Sequence, residues 1–182
     1  LRLILSLGSL LSWFSWLLIS TSAQAQSPPI TPSGLNTVVT THGTTHNITG
    51  GTRPGGGENL FHSFSNFDVP TNNIANFLND TGLLTSNILG RVTDPNPTNI
   101  LGTIQTTGFG NANLFLMNPT GVLFGPTASL NVGGSVTFTT ADYMRFADNG
   151  QFNALPNIAT DALLSIAPVA AYGFLGSNPG AI

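Results

Sequence analysis

The segment "ANLFLMNPTGVLFGPTASLNVGGSVTF" (112–138) consists of short apolar runs interrupted by Asn-Pro, Gly-Pro and Gly-Gly, without a single charged side chain. The same pattern extends from Leu83 to Phe146. Runs of this length, bounded by Gly, Pro or Asn, are typical of β-strands, and no long amphipathic helix fits through them. The pattern therefore predicts an all-β protein.

Two all-β architectures fit short, regularly interrupted strands: a β-sandwich and a right-handed parallel β-helix. The tetrapeptide "NILG" occurs at 87–90 and again at 99–102, although the spacing of such repeats along the chain is irregular. In stacked coils, aligned Asn and Thr side chains form hydrogen-bonded ladders, which would account for the abundance of both residues. The repeats favour the parallel β-helix.

The N-terminal region divides into segments of different character. Residues 1–25 combine a basic start, an apolar stretch and small residues up to Ala25, which predicts a signal peptide cleaved after that residue. The alternative is a transmembrane anchor, but the apolar stretch from Leu3 to Ile19 is short for a membrane span. Residues 26–34 predict an extended, proline-rich lead-in, and residues 35–57 predict a first strand pair followed by a flexible glycine-rich loop. We expect residues 35–182 to form one domain.

The segment "NNIANFLND" (72–80) is the one place where apolar residues have helical spacing, at Ile74, Phe77 and Leu78. The spacing covers less than three turns, so we expect a loop with buried anchors in preference to a stable helix.

Charge limits the possible partners. Charged residues make up 6% of the chain and the formal net charge is −3, whereas roughly a quarter of the residues of ordinary globular proteins are charged. Without a basic patch the chain cannot neutralise nucleic-acid phosphates, so we expect no nucleic-acid partner. The chain also has no cysteine, so its fold uses no disulfide.

No set of side chains predicts catalysis, metal binding or a cofactor. His42 and His46 have a zinc-like i, i+4 spacing, but they lie in a Thr-rich extended segment without a third ligand, and His62 is expected to be a hydrogen-bonded structural residue. Glycoside hydrolysis needs two facing carboxylates. Asp68 and Asp142 are the acids least typical of turns.

Two Asn-Pro sequences are the most specific local motifs. "NPTNILG" (96–102) and "NPTG" (118–121) each place Pro at the second position of a predicted type I β-turn with Asn at the first. As local geometry, each turn would connect one strand to the next.

Several segments resemble the N-terminal secretion domain of filamentous haemagglutinin-like proteins, which are the exported partners of two-partner secretion systems. In chain order these segments are "NLFHSFSNFDV", "NILGRVTD", "NPTNILGTI", "NANLFLMNPTGVLFGPTASLNVGGSVTFTTADYMRF" and "FNA". The part "FLMNPTGVLFGPTASLNVGGS" is most similar to the cyanobacterial members of the family. The resemblance covers roughly residues 35–182. It implies a right-handed parallel β-helix with an N-terminal capping segment and extra-helical strands. It also implies that the chain is the N-terminal part of a longer exoprotein.

The resemblance further implies a function without catalysis. The domain would be recognised by the periplasmic POTRA domains of an outer-membrane barrel transporter, and the exoprotein would reach the medium or cell surface through the periplasm of a Gram-negative bacterium. No membrane insertion is expected after signal cleavage, and the downstream region would engage host or neighbouring cells. The residues that correspond to the family's secretion motifs are Asn96, Pro97, Thr98, Asn118, Pro119, Thr120, Gly121, Val122, His62, Phe64 and Phe67. Among them Thr98 stands where the family has Ser, Thr120 where it has Asn, and Val122 where it has Ile.

Two other functions are kept as alternatives. The β-helix could itself act as a surface adhesin that binds glycans, or it could be a carbohydrate-active enzyme. The enzyme would need a groove lined by at least two carboxylates, with Asp68 or Asp142 required for turnover.

Overall fold

The computed structural model describes residues 27–182, so the predicted signal peptide lies outside the described residues. This part of the chain is almost entirely β-structure. In chain order its strands are β1 (Ile30–Gly34), β2 (Thr37–His42), β3 (Thr45–Gly50), β4 (Asn59–Phe67), β5 (Ile74–Leu78), β6 (Asn87–Val92), β7 (Thr98–Ile100), β8 (Thr103–Thr107), β9 (Asn113–Met117), β10 (Val122–Phe124), β11 (Ser129–Asn131), β12 (Val136–Thr139), β13 (Tyr143–Phe146), β14 (Gln151–Asn153) and β15 (Val169–Gly173). A short helix, α1, spans Ile158–Asp161.

The strands from β4 to β12 wind into a parallel β-helix of about three coils. One sheet has the order β1-β4-β6-β9-β12, a second β11-β8-β5-β3-β2, and a third pairs β7 with β10. Consecutive coils pair in parallel, with Asn59 level with Asn87 and Asn87 level with Asn113. These partners lie 28 and 26 residues apart. The parallel β-helix is thus confirmed and the β-sandwich alternative is wrong.

The "NILG" repeat does not mark equivalent positions of successive coils. Its first copy begins β6, whereas its second copy covers the last two residues of β7 and the bend after it, within the same coil. The two copies resemble each other because both are short apolar strand segments next to a glycine.

Residues 72–80, predicted to form a loop in preference to a helix, instead contain strand β5. The predicted loop and the less favoured helix are therefore both wrong. β5 pairs in parallel with β3 on one side and β8 on the other. Ala75 and Phe77 are buried. Pairing on both sides satisfies the backbone hydrogen bonds, which outweighs a weak local helical preference.

Antiparallel strands cover the first coil. The predicted lead-in contains β1, which pairs antiparallel with β4, and the predicted strand pair is the β2–β3 hairpin. The loop predicted to be flexible is partly ordered, with a Thr52–Phe61 bridge and a 3-10 turn at Pro54–Gly56. These antiparallel strands form the N-terminal cap of the solenoid and protect its first edges from pairing with other chains.

Asparagine ladders run along the coils. The Nδ2 of Asn87 donates to Oδ1 of Asn59 at 2.8 Å, and the Nδ2 of Asn113 donates to Oδ1 of Asn87 at 3.1 Å. Both ends of the ladder are also satisfied: Asn59 donates to the carbonyls of Ser165 and Ala167 at 2.9 and 2.8 Å, and Oδ1 of Asn113 accepts from the Ser135 amide at 3.0 Å. The ladder thus uses most of the hydrogen-bonding capacity of polar side chains that would otherwise be costly to bury.

Two apolar cores lie on opposite faces of the first sheet. The inner core fills the solenoid, and its aromatic part combines Phe64, Phe67 and Phe77. The outer core lies between that sheet and an extra-helical unit formed by β13–β15 and α1. There Phe61 packs edge-on against Phe146 and Phe152, with centroids 5.8 and 5.1 Å apart. Strand β4 is buried on both faces because each face contacts its own core.

Arg91 joins the extra-helical unit to the coils. Its guanidinium is buried, donates to both carboxylate oxygens of Asp161 at 2.7 Å, and lies 5.2 Å from the ring centroid of Phe152. Its Nε donates to Oγ of Ser63 at 2.9 Å, and one terminal nitrogen donates to the carbonyl of Asn153 at 3.1 Å. Each nitrogen of the buried Arg91 guanidinium thus has a hydrogen-bond acceptor, which is the condition under which burial of charge is tolerated.

Replacing Arg91 with Ala should lower the free energy of unfolding by about 3 kcal/mol, because Asp161 then loses its only ion-pair partner among residues 27–182. Urea denaturation measures the loss. The matched control is Arg145→Ala at an exposed position of β13, which should change stability by less than about 0.5 kcal/mol. Equal effects of the two substitutions would contradict the assigned role of Arg91.

Candidate functional site

Three Asx-Pro turns lie one above another at one corner of the solenoid. Because Val122 pairs with Thr98, residues 118–122 lie level with residues 94–98. A parallel bridge between Gly121 and Ala181 places residues 178–182 level with 118–122 on the other side. We call these three segments the turn stack; their first two residues are Asp94-Pro95, Asn118-Pro119 and Asn178-Pro179.

Sequence patterning identified only part of the turn stack. The turn predicted at 118–121 is confirmed by a 3.1 Å hydrogen bond from the Gly121 amide to the Asn118 carbonyl. The turn predicted at 96–99 is wrong, because Thr98 begins β7 and the bend begins two residues earlier, at Asp94. Pro97 occupies the fourth position of that bend and has no N–H to close a turn, so the Asp94 carboxylate accepts from the Asn96 amide instead, at 3.2 Å.

The third member of the turn stack was missed. Its signal was visible, since "NPGAI" at 178–182 repeats the Asn-Pro-x-x-aliphatic spacing of "NPTGV". The amide of Gly180 donates to the Pro119 carbonyl at 3.1 Å, and the amide of Val122 donates to the Ala181 carbonyl at 2.9 Å. The chain thus returns to the solenoid after the extra-helical excursion.

Asn118 is the central residue of the turn stack. Its exposed fraction is 0%. Its Nδ2 donates to the Asn96 carbonyl at 3.1 Å and to Oγ1 of Thr98 at 3.0 Å, while its Oδ1 accepts from the Thr120 amide at 3.0 Å. Its own amide donates to the Thr139 carbonyl at 3.0 Å. The side chain of Asn118 therefore closes its own turn and binds the preceding coil at Asn96 and Thr98. Its backbone amide binds the following strand, β12, at Thr139.

Gly121 has a backbone requirement of its own. Its φ is +136°, and a Cβ there would lie 3.1 Å from the Ala181 carbonyl oxygen. Only glycine adopts such a conformation without strain, which explains why the turn needs this residue.

His62, Phe64 and Phe67 form a second, separate cluster inside the first coil. His62 stacks with Phe64 at 6.1 Å between centroids and meets Phe77 edge-on at 5.6 Å. Its Nδ1 shares a 3.3 Å hydrogen bond with Oγ1 of Thr37. His62 is thus a buried, hydrogen-bonded residue, as predicted. Its exposed fraction is 1%, and burial, helped by the positive charge of Arg53, lowers its pKa to about 3.

The carboxylate of Asp68 binds strand β7. Asp68 follows Phe67 in sequence, and its Oδ1 accepts from the Asn99 amide at 2.7 Å. Asp142 similarly accepts from the Leu175 amide at 2.6 Å. Both carboxylates therefore bind backbone amides.

Neither His42 nor His46 is placed with further ligands. His46 shares hydrogen bonds of 3.0 Å with Oγ1 of Thr41 and Oδ1 of Asn73, whereas His42 lies at the exposed end of the hairpin. Residues 27–182 contain no group of three or more metal-binding side chains.

Most of the residues expected in the secretion motifs are buried in the folded domain. This holds for the seven residues Thr98, Asn118, Gly121, Val122, His62, Phe64 and Phe67. Asn96 is exposed, and Pro97, Pro119 and Thr120 are half-buried. The buried members cannot contact a partner of the folded domain.

A scan against protein-family models matches residues 25–182 to the TPS secretion domain, the N-terminal domain of two-partner-secretion exoproteins. The chain belongs to this family. The family is not known as an enzyme family, and it indicates a secreted exoprotein with a partner transporter. No curated protein matches the chain. Across the described residues, no helix is long and apolar enough to cross a membrane.

Replacing Asn118 with Ala should cost about 2 kcal/mol of unfolding free energy, because the Thr98 hydroxyl and the Thr120 amide lose their buried partner. The control is Asn96→Ala, since the exposed Asn96 side chain donates only to Asp94. Its cost should stay below about 0.5 kcal/mol. Urea titration of both variants gives the comparison, and a larger loss for Asn96→Ala would reverse the assignment.

Burial of neutral His62 makes stability depend on pH. Because its pKa is about 3 in the folded chain and about 6.5 in the unfolded chain, the unfolded state binds the proton first as pH falls. The contribution is present above pH 6.5 and should decrease by about 2 kcal/mol between pH 7 and pH 5.

Urea denaturation at several pH values tests this dependence with His62→Gln, which removes the titrating group, and with the matched variant His42→Gln at an exposed position. The decrease should persist in the His42 variant and disappear in the His62 variant. A decrease of equal size in both variants would contradict the assignment to His62.

Proposed function

We propose that the chain directs its exoprotein to an outer-membrane barrel transporter with periplasmic POTRA domains and nucleates folding of a β-helix outside the cell. In this proposal residues 1–25 are a signal peptide, and the route runs through the periplasm of a Gram-negative bacterium. No catalysis is required. Membership of the TPS secretion domain family supports the proposal.

The observation that carries the folding part of the proposal is the complete burial of Asn118, with every polar atom of the residue bonded within the domain. A partner that binds the folded domain cannot contact this side chain. Its role in secretion is therefore exerted during folding, or during recognition of the chain before it folds. The same reasoning applies to His62, Phe64 and Phe67.

The architecture favours folding in one direction. The first coil is covered by antiparallel strands β1 and β2, whereas β10, β11 and β12 are end strands of their sheets. Leu123, Phe124 and Leu130 are exposed along those end strands. Each completed coil presents unpaired backbone groups and apolar side chains on which a further parallel strand gains hydrogen bonds and burial. Stacking outside the cell would thereby bias the chain towards export.

The extra-helical unit would lock the coils after they form. Asn59 bonds to a carbonyl 106 residues further along the chain, and Arg91 bonds to a residue 70 positions away. Contacts with such long sequence separations form late because closing large loops is entropically costly.

Secretion of the tagged domain from cells that carry a candidate transporter tests the proposal. Wild type and Asn96→Ala should reach the medium in similar amounts, and Asn118→Ala should be reduced several-fold because it folds less stably. Cells without the transporter provide the control. Equal secretion of both variants would contradict the role of Asn118.

A second measurement separates folding from recognition. If Asn118 acts in folding, denatured wild type and denatured Asn118→Ala should bind the isolated POTRA domains equally well. If wild type itself stays in the periplasm with the transporter present, the transport proposal fails. Agglutination or glycan binding by the purified domain would then favour the adhesin alternative.

A further inference from the structure

The outer rim of the turn stack lines a groove shared with the extra-helical unit. Three adjoining hollows of about 250, 300 and 170 Å³ all include Asp142 in their walls. The first and second also share Leu155, and the first and third share Pro119. We call this continuous surface the Asp142 groove. Its walls include the prolines of all three turns, Pro95, Pro119 and Pro179.

The Asp142 groove exposes large apolar side chains. Leu155 and Leu175 line one hollow with exposed fractions of 69% and 81%, and Phe174 lines the next with 51%. These side chains lie outside both cores of the domain. Large apolar side chains that share one concave surface gain free energy when a partner covers them.

The charge of the groove has one sign. Asp94 and Asp142 are its charged residues, and no Arg or His lines any of the three hollows. Asp142 uses Oδ2 for the Leu175 amide, and Asp94 uses Oδ1 for Asn96. The other oxygen of each carboxylate accepts no hydrogen bond from residues 27–182, so it is available to a cationic donor.

We propose that the Asp142 groove of the folded domain binds an extended peptide segment in which Lys or Arg alternates with apolar residues. Each of the three hollows combines exposed apolar or proline side chains with the Asp142 carboxylate, so a segment that carries both apolar and cationic side chains matches this surface. The apolar walls would cover the peptide's apolar side chains, and the two carboxylates would bind its cations. This role is separate from transport, because it requires the folded domain and uses the outer rim of the turns in place of the buried Asn118.

The test is an NMR titration of isotope-labelled domain with a capped synthetic peptide in which lysines alternate with leucines. The control peptide has glutamates in place of the lysines. The lysine peptide should shift the amide signals of Asp142, Leu155 and Leu175, and the glutamate peptide should not.

Matched domain variants assign the site. Asp94→Asn and Asp142→Asn keep the oxygen that each acid offers to the backbone, so their folds should persist, and each should weaken binding about threefold. Asp80→Asn, at an exposed position outside the groove, should leave binding unchanged.

Shifts with both peptides, equal affinities of the Asp142 and Asp80 variants, or shifts confined to the exposed end strand at Leu123 and Phe124 would overturn the proposal. None of these outcomes depends on whether the transporter recognises the chain.

Discussion

The parallel register of the coils is the constraint on which the rest of the molecule depends. Once Asn59, Asn87 and Asn113 are level, their amides form a ladder, and the aliphatic residue after each one stacks inside the solenoid. A shift of one residue would exchange the inner and outer faces of every strand in the sheet. Both cores, the turn stack and the surface on which the extra-helical unit packs would be lost together. The specificity of the fold therefore comes from many weak contacts that share one register.

The turn stack has two faces with different roles. Its inner face, centred on Asn118, is buried and joins three levels of the chain through hydrogen bonds. Its outer face is made of prolines and half-buried carboxylates and lies open beside the extra-helical unit. A motif of this kind stabilises folding through atoms that no partner of the folded domain reaches, while its rim remains available for contact. Family membership identifies a secretion domain, and the burial of Asn118 supports the proposal that this residue acts during folding.

The all-β class and the solenoid could be predicted because the Gly, Pro and Asn residues that bound each strand, and the high Asn content, are local properties of the sequence. Which segments occupy equivalent positions in successive coils could not be predicted, because this depends on pairing between distant strands. Asn96-Pro97 looked equivalent to Asn118-Pro119, yet Asp94-Pro95 occupies the equivalent position. Strand β5 looked helical or irregular because its neighbours β3 and β8 determine its conformation. The ion pair of Arg91 with Asp161 joins residues 70 positions apart, and no spacing in the sequence indicates it.

Native-state hydrogen exchange of the purified domain tests most directly whether the turn stack belongs to the cooperative core. The amides of Thr98, Thr120 and Gly121 all donate to partners within the stack. If the turns are locked as described, these amides exchange only through global unfolding, with the same free energy as the amides of β9, which is paired on both sides. Exchange of the three turn amides by local opening, at a free energy well below that of β9, would contradict the account, because the turns would then be accessible in the folded domain.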